Sequence, residues 1–139
     1  MLVGTIRPLY ADTDQMGVVN HATALRWFEQ ARAEWLRRLG HTYRQMEEDG
    51  MMLPIYELAV KYHKPALYDQ LLQLHADLEL PGQVRVVFHY RVVRAEDQAL
   101  LLAGTTRHAV VSKQGRPRRL SDEMRALLER GIAEQQAKG

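Results

Sequence analysis

Cysteine is absent from all 139 residues. That excludes disulfide staples, thiolate metal sites and cysteine nucleophiles together. Long apolar runs are missing too, since no stretch approaches the ~20 residues a membrane-spanning helix needs. The opening segment MLVGTIRPLY has neither a basic head followed by an apolar stretch nor a cleavage pattern, so a cytoplasmic address is expected. A surplus of one charge sign is also lacking. Lys and Arg number 19 against 17 Asp and Glu, a formal net charge of +2, although the sequence pI is near 9.0. The densest basic run, KQGRPRRL, contains Gly and Pro and reads as a solvated turn, so nucleic acid is not an expected partner. Internal repeats and low-complexity segments are absent.

What remains is an ordinary globular composition, 46% apolar and 26% charged, in a chain the size of one domain spanning 1–139. Thr5 to Ala11 reads as an opening strand and DTDQMG as a turn. From His21 to Leu39 the apolar residues Leu25, Phe28, Ala31, Trp35, Leu36 and Leu39 recur at helical spacing, and Gly40 follows as a stop, giving a helix of about five turns. The period then becomes two. Leu72, Leu74, Ala76, Leu78 and Leu80 share one strand face, and Val84, Val86, Phe88, Tyr90 and Val92 another, with Pro81-Gly82 as the hairpin turn. ALLLAGTTRHAVVSK is a further strand, and IYELAVKYHKPA one whose Pro65 marks an edge or bulge. A short closing helix from Asp122 to Gln136 follows Ser121, a suitable N-cap. These elements predict an α+β fold with a largely antiparallel sheet covering the long helix. Val87, Val93, Leu101, Ala103 and Val111 would form a second apolar face, which predicts self-association.

Asp12-Thr13-Asp14 is the chemically loaded tripeptide. A calcium loop is disfavoured because Met16 and Thr23 occupy ligand positions, and phosphoryl transfer would need further carboxylates on a parallel scaffold. For Asp12, bonding to backbone N–H groups of the turn is the expected role. Asp14 precedes QMGVVNHA, whose exit delivers the unpaired N–H groups of a helix start. Such groups stabilise a developing oxyanion, and a nearby carboxylate can attack a carbonyl or deprotonate a water that does. An ordinary aspartate is ionised at neutral pH and suits either role. Gly17 and Val18, in the same turn, are candidate substrate-binding residues. The histidines His63, His75, His89 and His108 have no zinc-like spacing and read as sheet-face or interface residues; no metal is expected.

With these residues stated, the chain resembles the hotdog-fold thioesterases of the 4-hydroxybenzoyl-CoA thioesterase family, in particular the YbgC-like acyl-CoA thioesterases. The similar stretches are YADTDQMGVVNH, FEQARAEWLRRLG and VKYHKPALYDQLLQLHADL. The resemblance implies a hotdog fold, an antiparallel sheet wrapped around a long central helix. It implies that Asp14 is catalytic, that the His21 backbone N–H holds the thioester carbonyl, and that the substrate is an acyl-CoA or an acyl-carrier-protein thioester with no added cofactor. It further implies dimers, paired into homotetramers, with sites at the subunit interface. Arg85 is the nearest match to the groups that bind CoA phosphates. Asn20 and Ala24 depart from the aromatic residues common in relatives and lie near the expected acyl pocket. The His21 side chain could orient Asp14 or water, and Glu29 and Glu34 face either the pocket or a surface pair. Two other functions stay open: a hydroxyacyl-thioester dehydratase on the same fold, and a non-enzymatic acyl-CoA-binding module.

Overall fold

The computed structural model describes residues 1–138. Its elements are β1 (Leu2–Ile6), a 3-10 turn (Tyr10–Asp12), α1 (Thr23–Arg37), α2 (Tyr43–Glu48), β2 (Ile55–Tyr62), β3 (Leu72–Glu79), β4 (Arg85–Arg94), β5 (Leu100–Ala109) and α3 (Asp122–Lys138). The strands form one sheet in the order β1-β3-β4-β5-β2, every neighbouring pair antiparallel. Among the described residues no helix is long and apolar enough to cross a membrane.

The period-two pattern places the core. Leu74, Ala76 and Leu78 of β3 stand opposite Val92, Tyr90 and Phe88 of β4, and this face meets α1. From α1 come Trp27, Phe28, Ala31, Trp35 and Leu36, all buried. Phe28 stacks on Tyr90 with centroids 4.3 Å apart, and Trp35 meets Phe88 edge-on at 6.0 Å. Each large side chain so buried contributes about 1.5–3 kcal/mol. Gly104 makes the close approach feasible, because a methyl there would overlap the Phe28 ring and sit 2.7 Å from the Ala59 carbonyl oxygen.

α3 closes the far edge of β3. β1 pairs only with Leu72 to His75, so the Leu78 backbone would otherwise lack partners on that side. The Gln135 amide substitutes for a strand: Nε2 donates to the Leu78 carbonyl at 2.7 Å, while Oε1 accepts from the Leu78 N–H at 2.9 Å and from Trp35 Nε1 at 3.0 Å.

Several expectations need correction. The opening strand is Leu2–Ile6, and Pro8 and the 3-10 turn occupy the rest of the segment assigned to it. α1 begins at Thr23, not His21, because Asn20 Oδ1 accepts from both the Thr23 N–H and hydroxyl at 3.1 Å. At 15 residues it has about four turns, not five. The helix α2, capped by Thr42 and Gln45, was not foreseen. The closing helix is not short: its 17 residues exceed α1. The second apolar face also fails as drawn, since Leu101 belongs to the core, and Val87 and Val93 are already buried within one chain. Edge strand β2 instead exposes Ile55, Tyr56, Leu58 and Tyr62, and the other exposed large apolar residues lie on β1, the loops and α1.

Candidate active site

The two aspartates do different things. Asp12 is buried; its Oδ2 accepts from the Leu9 N–H at 2.8 Å, and Oδ1 pairs with the Arg26 guanidinium on α1. Its carbonyl accepts from Asn20 N at 2.9 Å and from the Asn20 amide at 3.1 Å. Asp12 therefore ties the 3-10 turn, the loop and α1 together. Asp14 is exposed, and one oxygen, Oδ1, accepts from the N–H groups of Met16 at 2.8 Å and Val18 at 3.2 Å. Among the described residues Oδ2 accepts no hydrogen bond. Gly17, at φ +76°, takes the left-handed conformation this tight turn requires.

The loop then runs along the segment after β2. Val18 bridges to Leu67, and the Val19 N–H donates to the Ala66 carbonyl at 2.8 Å. This contact encloses a cavity of about 260 Å³ at the start of α1, walled by Val18, Asn20, His21, Ala24, Tyr62 and Lys64, with His63, Ala66 and Leu102 completing it. Among the described residues the N–H groups of His21 and Ala22 meet no acceptor, whereas those of Asn20 and Thr23 are taken. The cavity thus opens beside His21, whose N–H is free at the positive end of a helix, and Val18 links its wall to the Asp14 carboxylate.

Of the site residues expected from sequence, Val18 and His21 line this cavity, and Asp14 is joined to it through Val18. Gly17 shapes the turn without lining the cavity. Arg85 lies elsewhere in the same chain: it pairs with Ala109 and sits over the Tyr56 ring at 4.9 Å, while Tyr62 pairs with Leu102 at the opposite end of β5. Asn20 and Ala24, the two departures from the family pattern, line the cavity. His63, read as a sheet-face or interface residue, is also in its wall, because β2 ends at Tyr62 and His63 lies just beyond it.

Sequence reasoning missed Tyr62. Its hydroxyl donates to the His21 carbonyl at 2.8 Å, and its ring lies 4.5 Å from the imidazole; burial pushes the phenol's ionisation up. The strand alternation identified the residue as one of β2 but held no sign of a contact 41 residues away. A larger hollow, about 570 Å³, lies toward the other end of α1, bordered by Glu29, Arg32, Tyr43, Met52, Pro54 and Val111. Its size exceeds that of the first, but among the described residues it holds no counterpart of the Asp14 turn.

A five-stranded antiparallel sheet packed against the central helix α1 gives this chain the hotdog fold of α+β proteins. Residues 8–128 match the model of the Thioesterase-like superfamily, and the chain belongs to that family. It is 30% identical over 95 residues to the acyl-CoA thioester hydrolase YbgC of Escherichia coli O157:H7, a match covering 68% of this chain and 71% of that one. The Thermus thermophilus protein TT1821 aligns with a TM-score of 0.85 at 32% identity, over 93% of this chain and 98% of its own. The DHNA-CoA thioesterase of Staphylococcus aureus aligns with a TM-score of 0.82 at 30% identity, over 96% and 89%.

Proposed function

We propose that this protein hydrolyses the thioester of an acyl-CoA to a carboxylic acid and free thiol, with water as the only co-substrate and no metal or cofactor. One observation carries the reading: the Asp14 turn, with one carboxylate oxygen free, is pinned to the wall of a cavity lined by His21, whose N–H is unspent, as is that of the adjoining Ala22. A thioester carbonyl placed against those donors becomes more electrophilic, and the oxyanion formed on attack is stabilised there; one such donor is worth about 2.7–4 kcal/mol. As general base, Asp14 Oδ2 removes a proton from water while the hydroxyl adds to the carbonyl carbon. The tetrahedral intermediate collapses, the C–S bond breaks, and the thiolate leaves and takes up the proton. As nucleophile, Asp14 would instead form a mixed anhydride that water opens. Solvent ¹⁸O found in Asp14 after a single turnover marks the second route with water opening the anhydride at the Asp14 carboxyl carbon, and a trapped acyl-enzyme anhydride marks it whichever carbonyl water attacks.

The site is completed by a second copy of the chain. Antiparallel pairing of the exposed edge of β2 with its own copy would set Tyr62 opposite Ile55 of the partner subunit. That carries the Tyr56 and Arg85 end of one sheet toward the His21 cavity of the other, where the guanidinium could meet CoA phosphates. The same pairing covers the apolar side chains of β2 that one chain leaves exposed.

The decisive test is thiol release from short, long-chain and aromatic acyl-CoA substrates, with acyl-carrier-protein thioesters beside them. Asp14→Asn should lower turnover by about 10²–10⁴-fold with the fold retained. Near-normal turnover by that variant would remove this mechanism. Enoyl product without thiol release would identify a dehydratase, and tight binding without either product a binding module.

A further inference from the structure

Tyr62 is the last residue of β2, fixed in the sheet by its pairing with Leu102. Its hydroxyl is spent on one acceptor, the His21 carbonyl, at 2.8 Å. The ring lies 4.5 Å from the His21 imidazole at an inclination of 36°. Nothing nearer in sequence does this job. The Asn20 side chain is committed to the Asp12 carbonyl and to Thr23, and no other side chain among the described residues bonds the His21–Ala22 peptide.

In a trans peptide the carbonyl and the following N–H point in opposite directions. Holding the His21 carbonyl therefore turns the Ala22 N–H away from Tyr62 and fixes the backbone of His21, which lines the cavity and whose own N–H meets no acceptor among the described residues. Left unanchored, this peptide is free to rotate, because it precedes the first regular turn of α1. Burial keeps the Tyr62 phenol protonated beyond its ordinary range, so the donor persists at neutral and mildly alkaline pH.

We propose that Tyr62 is a positioning residue for thioester hydrolysis: its hydroxyl on the His21 carbonyl and its ring against the imidazole hold His21 in the cavity wall, so that the free His21 N–H keeps its place there. This rests on the hydrolase reading above.

Tyr62→Phe removes one oxygen and keeps the ring. It should lower kcat about 10- to 100-fold with KM within about twofold, since the donors act on the oxyanion more than on the bound thioester. The melting temperature should stay close to that of the parent protein. In ¹H–¹⁵N spectra of the substrate-free variant, the His21 and Ala22 amide signals should broaden or split while those of Phe28 and Ala31 remain single. Tyr62→Leu, lacking both hydroxyl and ring, should lose at least as much kcat. Unchanged kcat in Tyr62→Phe, a loss confined to KM, or single sharp His21 and Ala22 signals would each overturn the proposal. Asp14→Asn assayed alongside separates the two ideas: full activity there removes the hydrolase mechanism, while the amide signals still decide the role of Tyr62.

Discussion

Asp12 and Asp14 stand two residues apart and differ because of what surrounds each carboxylate. Asp12 has 5% of its side chain exposed and is held by a backbone N–H and a guanidinium; Arg26 itself is 66% exposed, so solvent screens much of the pair. Asp12→Asn should therefore cost about 1 kcal/mol of stability, read by urea unfolding, and leave turnover close to that of the parent protein. Asp14→Asn should do the reverse, keeping the unfolding midpoint and losing turnover. Equal catalytic damage from both substitutions would overturn this division. The residue types and spacing made the turn legible. The partners of each carboxylate were not, because Arg26 lies 14 residues away and a full helical start intervenes.

At the scale of elements, three departures from the periodic pattern have a polar cause. Asn20 sets the start of α1, and Thr42 with Gln45 makes α2 from a stretch too short to show a helical stripe. α3 is long because it spans the unpaired part of β3, where the Gln135 amide satisfies three backbone and indole groups. Gln135→Ala strands all three, and should cost about 1–3 kcal/mol, measured by urea unfolding. An unchanged midpoint would mean that water replaces the amide there without loss.

The whole molecule adds two expectations. His108 is buried, bonded through Nδ1 to the Leu53 carbonyl, with its other ring nitrogen against Thr106, and burial lowers its ionisation below the ordinary 6.5, with Arg32 adding repulsion. His75 moves the same way, chiefly through burial, with Arg91 and the N-terminal ammonium opposing its charge and Asp77 favouring it. The unfolded chain takes up these protons first. The stabilisation is thus complete above about pH 6.5 and is lost as pH falls through the lowered folded values. Urea midpoints measured across this range should decline with acid, and His108→Gln should flatten the slope. The second expectation concerns assembly. Leu58, 41% exposed at the middle of edge strand β2, should lie at the dimer seam. Leu58→Arg should yield monomers in sedimentation velocity and lose turnover with them, because the cavity and Arg85 lie at opposite ends of one sheet. Active monomers would show that one chain holds a complete site.

The sequence by itself determined the antiparallel hairpins, the long apolar helix and the loaded turn before it, since each is written in local periodicity and turn chemistry. Tertiary structure alone decided that β2 lies at the sheet edge beside β5, that α1 begins at Thr23 against the Asn20 side chain and not at His21, and that Tyr62 reaches the His21 carbonyl. These depend on contacts between residues far apart in the chain, and side-chain period carries no record of which distant backbone group a polar atom will meet.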